Sequence, residues 1–116
     1  MIQWVRNMGK QRDVAEGVYI KEYLTEGEVV VAVCDASLIG KTINDGRIRL
    51  YIDPVFYGGK RVSIEEALEA IDRSSIANLV GKKIVNAAIK KGLVHPEAVI
   101  WIGNIPHAQI IKIYNW

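Results

Sequence analysis

The sequence predicts an α+β domain in which two helices pack on one face of a mainly antiparallel sheet of about five strands. β-prone runs and tight turns fill the first half of the chain, and helical apolar spacing follows between residues 63 and 91. Two more β-prone runs complete the predicted order β-β-β-α-α-β-β. The chain has 116 residues, half of them apolar, which suffices for one core. We therefore predict a single domain over residues 17–116, preceded by an extension over residues 1–16.

The first three strands are predicted from composition and alternation. Residues 18–24 are β-prone, and residues 29–34 form an almost unbroken β-branched run typical of a buried strand. Gly27 supplies the positive φ angle that a hairpin turn between them requires. Residues 47–53 alternate apolar and polar side chains, which indicates a half-buried third strand that Pro54 ends.

Two helices follow in the middle of the chain. Ser63 and Glu66 form a capping box, and apolar residues at helical spacing continue to Ile71. A second helix is predicted to begin at Ser74 or Ser75 and to end near Gly92, which suits a left-handed cap. Its apolar stripe is predicted to contain Ile76, Leu79, Val80, Ile84, Ala87 and Ala88.

The remaining residues predict a pair of strands near the end of the chain. Pro96 prevents continuation of the second helix. Residues 98–102 and 108–114 are β-prone, and residues 103–107 form the loop between them. This loop would contain His107.

Charge is distributed unevenly along the sequence. Up to Asp72, nine basic and twelve acidic residues give a net charge of −3, whereas six basic residues and one acid give +5 afterwards. This asymmetry is a weak indication of nucleic acid or another acidic partner. The predicted phosphate-binding residues on the second helix are Lys82, Lys83, Asn86, Lys90 and Lys91. Alternatively, acids of the first helix pair with these lysines across the helix interface, or the lysines form a solvated face.

Several other polar residues and glycines could contact a ligand. The candidates are Asn78, Gly81, His107, Gln109, Lys41, Gly58 and Gly59. Asn78 and Gly81 are poor choices within a helix, so either packing or a partner would explain them. A lone loop histidine without a catalytic partner favours a structural role for His107. The polar residues would join the lysine site if the loop lies beside the helix.

Several classes of chemistry lack support in the sequence. Lys41 lies in a segment resembling the end of a phosphate-binding loop, but Asp35 replaces the required glycine and a turn follows instead of a helix. Cys34 is the only cysteine, and a buried inert thiol is favoured. We predict no catalytic residue, metal site or cofactor. The absence of a long apolar run predicts no membrane association and a cytoplasmic location.

Short segments in a particular order resemble a known family over about residues 17–114. They are residues 31–35, 38–41, 56–59, 75–81, 92–94 and 105–109. Together they are similar to an archaeal family catalogued as domain of unknown function number 424. The resemblance implies a cytoplasmic archaeal protein and an association with RNA or translation.

The main functional hypothesis is a small module that binds RNA or a ribonucleoprotein and is linked to translation. A first alternative is a small-molecule-binding protein or enzyme with a pocket near Asn78 and His107. A second alternative is a protein-interaction scaffold, or a homodimer formed through an exposed sheet edge.

Overall fold

A computed structural model describes residues 17–112 and contains a six-stranded sheet with the strand order β5-β1-β2-β6-β8-β7. The strands are β1 Val18–Thr25, β2 Glu28–Asp35, β5 Lys60–Val62, β6 Ile76–Val80, β7 Ile100–Ile102 and β8 Ile105–Ile111. All neighbours are antiparallel except β2 and β6, which are parallel. The predicted α+β class is thus confirmed, although the predicted strand order fits only roughly. The predicted extension over residues 1–16 lies outside the described residues.

Strands β1 and β2 form a hairpin, as predicted, and β2 lies beside β6 at the centre of the sheet. Glu26 and Gly27 both have positive φ angles, of 48° and 79°, as a two-residue type I′ turn requires. The turn pairs Thr25 with Glu28 and sets the register of both strands. Alternate residues of β2 consequently face the two sides of the sheet, and both sides are buried.

The helices pack on one face of the sheet. They are α2, Ile64–Arg73, and α3, Lys82–Lys90, while a short α1, Pro54–Tyr57, lies elsewhere. Ser63 begins α2 by accepting a 3.2 Å hydrogen bond from the Glu66 backbone N–H. The core under the helices includes Val31, Val33, Ala67, Ile71, Leu79, Ile84 and Ala88.

The predicted start of the second helix is wrong. Residues Ile76–Val80 form strand β6, and the helix begins only at Lys82. Except for Asn78, the side chains of β6 are apolar because the strand lies in the middle of the sheet, and such a run also satisfies helical spacing. Ser75 does not begin a helix. Its hydroxyl accepts from the Val29 N–H at 3.1 Å and joins β6 to β2.

The second face of the sheet is partly covered by the segment from Ala36 to Tyr57. This segment contains a separate two-stranded hairpin, β3 Thr42–Asn44 with β4 Arg49–Tyr51, followed by α1. The predicted third strand over residues 47–53 therefore exists in shortened form, but it does not join the main sheet. Its inner side packs instead on a second core cluster that contains Ala32, Cys34, Ile52, Tyr57 and Val80.

The last two strands are closer together than predicted. β7 and β8 are joined by only Gly103 and Asn104, because Ile102 pairs with Ile105. His107 therefore lies within β8 and not in a loop. None of the helices in residues 17–112 has the length and apolar composition needed to cross a bilayer.

Candidate functional site

The N-terminus of α3 is built around a buried carboxylate. Asp35, at the end of β2, accepts hydrogen bonds from the backbone N–H groups of Lys83 at 2.9 Å and Ile84 at 3.0 Å. The pKa of Asp35 is raised overall, because the effect of burial exceeds the opposing effects of these two bonds and of the Lys83 charge. The carboxylate occupies the position where a helix N-terminus would otherwise bind a ligand anion.

Gly81 connects β6 to α3 beside this carboxylate. Its φ angle is +121°, and a Cβ atom there would lie 2.6 Å from both carboxylate oxygens of Asp35. Backbone geometry and the close approach of Asp35 thus account for a glycine at this position without a ligand.

The exposed side of α3 carries the predicted basic residues. Lys82, Lys83, Asn86, Lys90 and Lys91 are all exposed, and they define what we call the α3 lysine face. The opposite side of the helix buries Ile84, Val85 and Ala88 in the core. Within residues 17–112, Lys82, Lys90 and Lys91 form no ion pair with an acidic side chain, so the predicted alternative of pairing with α2 does not occur for these three.

Three predicted polar residues lie together on the second face of the sheet. Asn78 of β6 is directly opposite Gln109 of β8, and His107 follows two residues away on β8. We call these three residues the amide–imidazole patch. Because α3 packs on the other face, the sheet separates this patch from the α3 lysine face. The single site that would combine them does not form.

The half-buried position of His107 affects its protonation. Burial lowers the pKa of His107, because the charged imidazolium loses solvation. The ring forms no hydrogen bond with another residue of the described range. A neutral imidazole with accessible nitrogens can both donate and accept a hydrogen bond.

We expect the His107 ring to titrate below its ordinary value of 6.5 in an NMR pH titration. The unfolded chain in urea provides the control, with a midpoint of about 6.5. The unfolded state binds more protons near this pH, so this group makes the protein less stable as pH falls below about 6.5. A native midpoint above that of the unfolded chain would contradict the prediction.

The predicted glycine pair lies away from the amide–imidazole patch. A Cβ atom at Gly59 would lie 3.0 Å from Lys21 Cα and overlap the Ile20 carbonyl, and one at Gly58 would overlap the Pro54 carbonyl. A cavity of about 380 Å³ adjoins Gly59 at the edge of the sheet formed by β5 and β1. Strand β2 and part of β1 separate this cavity from Asn78.

Lys41 precedes the β3–β4 hairpin, whose outer side contains Arg49 and Tyr51. The pairs Thr42 with Tyr51 and Asn44 with Arg49 stand opposite each other, and all four side chains are exposed. The alternation of apolar and polar side chains in residues 47–53 could have indicated this surface, because it places Arg49 and Tyr51 on the solvent-exposed side of a strand. The net charge of −3 over residues 1–72 does not reveal the basic residues that are close together at Lys41, Arg47 and Arg49.

The remaining reactive groups offer little chemistry. Cys34 is fully buried, which confirms the expected burial of its thiol. Burial and the nearby Asp35 charge raise the pKa of this thiol to about 12, which disfavours the reactive thiolate. In the part of the chain that the structure describes, no three His, Cys, Asp or Glu side chains are grouped so that they could hold a metal ion.

Comparisons with known proteins identify a family but no activity. The family described as "Protein of unknown function (DUF424)" matches residues 23–113. A crystal structure of an uncharacterized conserved protein from Methanopyrus kandleri is similar, with a TM-score of 0.66 and 22% identity over 85% of this chain and 96% of that chain. That similarity shows a shared fold, and no curated protein has a significantly similar sequence. Because the match covers most of the sequence and agrees with the resemblance of its short segments, this chain belongs to the DUF424 family.

Proposed function

We propose that this protein is a small RNA- or ribonucleoprotein-binding module linked to translation, and that the α3 lysine face contacts phosphates. The observation that carries the proposal is the exposure of Lys82, Lys90 and Lys91 without acidic partners in residues 17–112. Lysine ammonium groups that neutralise phosphates release condensed counterions, which is the main driving force of sequence-independent nucleic-acid binding.

The arrangement of the lysines suits an extended polyanion. Lys82 and Lys90 are eight residues apart on one side of α3, which separates them by about 12 Å along the helix axis. Asn86 lies between them and can donate a hydrogen bond to a phosphate or sugar oxygen. The α3 lysine face can therefore contact neighbouring backbone groups of a single RNA strand.

The adjacent helix restricts how a polyanion can approach. Glu65, Glu69 and Asp72 are exposed on α2, which packs beside α3 on the same face of the sheet. Their charges repel phosphates, so binding is favoured along α3 and disfavoured across α2. The surface of the helical layer is thus divided into a basic and an acidic half.

We expect the double variant Lys82→Gln/Lys90→Gln to bind RNA about ten-fold more weakly than the wild type near 0.1 M salt. The slope of log affinity against log salt should fall by about 1.4, because each lost contact to a single strand contributes about 0.7. A filter-binding titration with total cellular RNA, at salt concentrations between about 50 and 200 mM, measures both quantities.

The matched control is Lys60→Gln/Arg73→Gln. It removes the same number of positive charges from exposed positions on β5 and at the end of α2. It should retain the affinity of the wild type. Equal weakening by both double variants would show that affinity depends only on net charge and not on the α3 lysine face. The absence of salt-dependent binding by the wild type would refute the proposed function.

A further inference from the structure

We propose that the outer side of the β3–β4 hairpin binds unpaired nucleotides, with Tyr51 stacking on a base and Arg49 and Lys41 contacting phosphates. This inference rests on the proposed RNA-binding function and adds to it a second surface and a preference for single strands. The hairpin lies on the face of the sheet opposite α3, so the two surfaces are structurally independent.

Tyr51 differs from the other tyrosine and phenylalanine rings between residues 17 and 112. Its side chain is 54% exposed, whereas Tyr57 is buried and Tyr23 stacks on Phe56 at a centroid distance of 5.5 Å. The Tyr19 ring has the Arg61 guanidinium 5.4 Å from its centroid. Tyr51 therefore offers a free aromatic face on a strand, which is the component that stacking on a base requires.

Arg49 lies on the same side of the hairpin as this ring, and two further basic residues lie at the base and at the tip of the hairpin. Arg49 is two residues from Tyr51 on the same side of β4, which places their Cα atoms about 7 Å apart. Lys41 immediately precedes β3 and is exposed. Arg47, in the turn, has an 81% exposed side chain, and its guanidinium forms a 3.4 Å ion pair with the Asp45 carboxylate. A base on Tyr51 and the adjoining phosphate can thus be contacted by neighbouring residues of one small surface.

The acidic side chains in and next to the hairpin accept hydrogen bonds from backbone N–H groups. Asp45 accepts from the N–H groups of Arg47 and Ile48 at 2.9 Å and from that of Gly103 at 3.3 Å, and only 11% of its side chain is exposed. The backbone hydrogen bonds, led by that of Ile48, lower the pKa of Asp45 to about 2. Asp53 similarly accepts from the Val55 N–H at 2.9 Å. The outward side of the hairpin consequently presents mainly positive charge.

The hairpin is held rigidly enough to act as a platform. The bond from Gly103 to Asp45 fixes its tip to the β7–β8 turn, and the inner residues Ile43 and Leu50 pack on the second core cluster. At its base, the Ile52 N–H donates to the Lys41 carbonyl at 2.8 Å. A ring that is fixed before binding loses little conformational entropy when a base stacks on it.

The combination of ring and charge favours unpaired nucleotides over other anions. An acidic peptide would satisfy the basic groups but would leave the Tyr51 ring without a stacking partner. In a duplex the base faces are stacked on one another, so the ring cannot reach them. Only an unpaired nucleotide uses both components.

The test is an NMR titration of the ¹⁵N-labelled full chain with an octauridine strand and, separately, with an RNA duplex. We expect octauridine to shift the amide signals of Thr42, Asn44 and Arg49. Tyr51→Ala should weaken binding of the single strand about ten-fold, while Tyr51→Phe should retain it because the ring remains. Trp101→Ala is the matched control, since it removes a ring that is 52% exposed on β7. Well-dispersed spectra verify that each variant folds.

The outcomes separate this inference from the proposed function. Shifts confined to α3, together with wild-type affinity of Tyr51→Ala, would overturn the inference and leave the proposed function intact. Hairpin shifts that persist in Lys82→Gln/Lys90→Gln would support the inference even if α3 makes no contact. A polyglutamate peptide that produces the same hairpin shifts would overturn it in favour of an acidic protein partner. Absence of binding to any RNA would refute both proposals.

Discussion

Replacement of Gly81 by alanine should be among the most destabilising single changes in this domain, with an expected loss of about 4 kcal/mol or more. Two effects combine at this position. The φ angle of +121° and ψ angle of 150° belong to a region that is essentially restricted to glycine, and a side chain there costs about 1–3 kcal/mol. In addition, the new Cβ atom would lie 2.6 Å from both carboxylate oxygens of Asp35.

The Asp35 carboxylate cannot move aside without loss. It is held by two backbone N–H groups at the start of α3, and its own surroundings are buried. Relief of the overlap would break these bonds or displace α3 from β6. A domain of this kind has a total stability of about 5–15 kcal/mol, so the variant should lose between about a quarter and about four fifths of it.

Urea denaturation followed by circular dichroism measures the effect, with Gly92→Ala as the control. Gly92 also has a positive φ angle, of +80°, but no atom lies within 4 Å of the position of its Cβ. Its replacement should cost only about 1–2 kcal/mol, the ordinary penalty for left-handed geometry. Similar losses for the two variants would show that the contact with Asp35 contributes nothing.

The same junction explains why the sequence alone predicted α3 incorrectly. Residues 76, 79 and 80 are apolar at helical spacing, but they are equally compatible with a strand that is buried on both faces. The pairing that decides between these possibilities is distant in sequence, since Ser75 bonds Val29 across 46 positions. Local periodicity contains no information about such a partner. The Ser63 cap of α2 and the β1–β2 turn, by contrast, are encoded within a few neighbouring residues and were predicted correctly. The return bond from the Glu66 side chain that a full capping box requires is not formed.

The candidate sites likewise include features that local sequence predicts and features that depend on distant strand pairing. Exposure of Lys82 and Lys90 could be predicted because residues 82–90 do form a helix, as their apolar spacing indicates. The proximity of Asn78 and His107 was predicted as one alternative, but their arrangement with Gln109 depends on the antiparallel register of β6 and β8, which local sequence patterns do not contain. The hairpin surface at Tyr51 was only partly predictable, since its partner strand β3 has three residues and no recognisable pattern.

Removal of the Asp35 carboxylate should be the second large effect, with an expected loss of about 3 kcal/mol for Asp35→Ala. The loss arises because the N–H groups of Lys83 and Ile84 would remain at a buried helix start without an acceptor. Each buried donor left unsatisfied costs about 1–3 kcal/mol, and loss of the cap also weakens the first turn of α3. Asp35→Asn should cost less than Asp35→Ala, because the amide keeps one acceptor oxygen.

The combined variant Gly81→Ala/Asp35→Ala tests whether both effects arise from one contact. Removal of the carboxylate creates room for the Cβ atom of residue 81, so the double variant should lose less stability than the two single losses added together. We expect a coupling of about 1–3 kcal/mol, measured by urea denaturation of all four proteins in a double-mutant cycle. The φ angle would still penalise alanine, so full rescue is not expected. Strict additivity would contradict the contact, because independent sites add whereas residues that share atoms in the same volume do not.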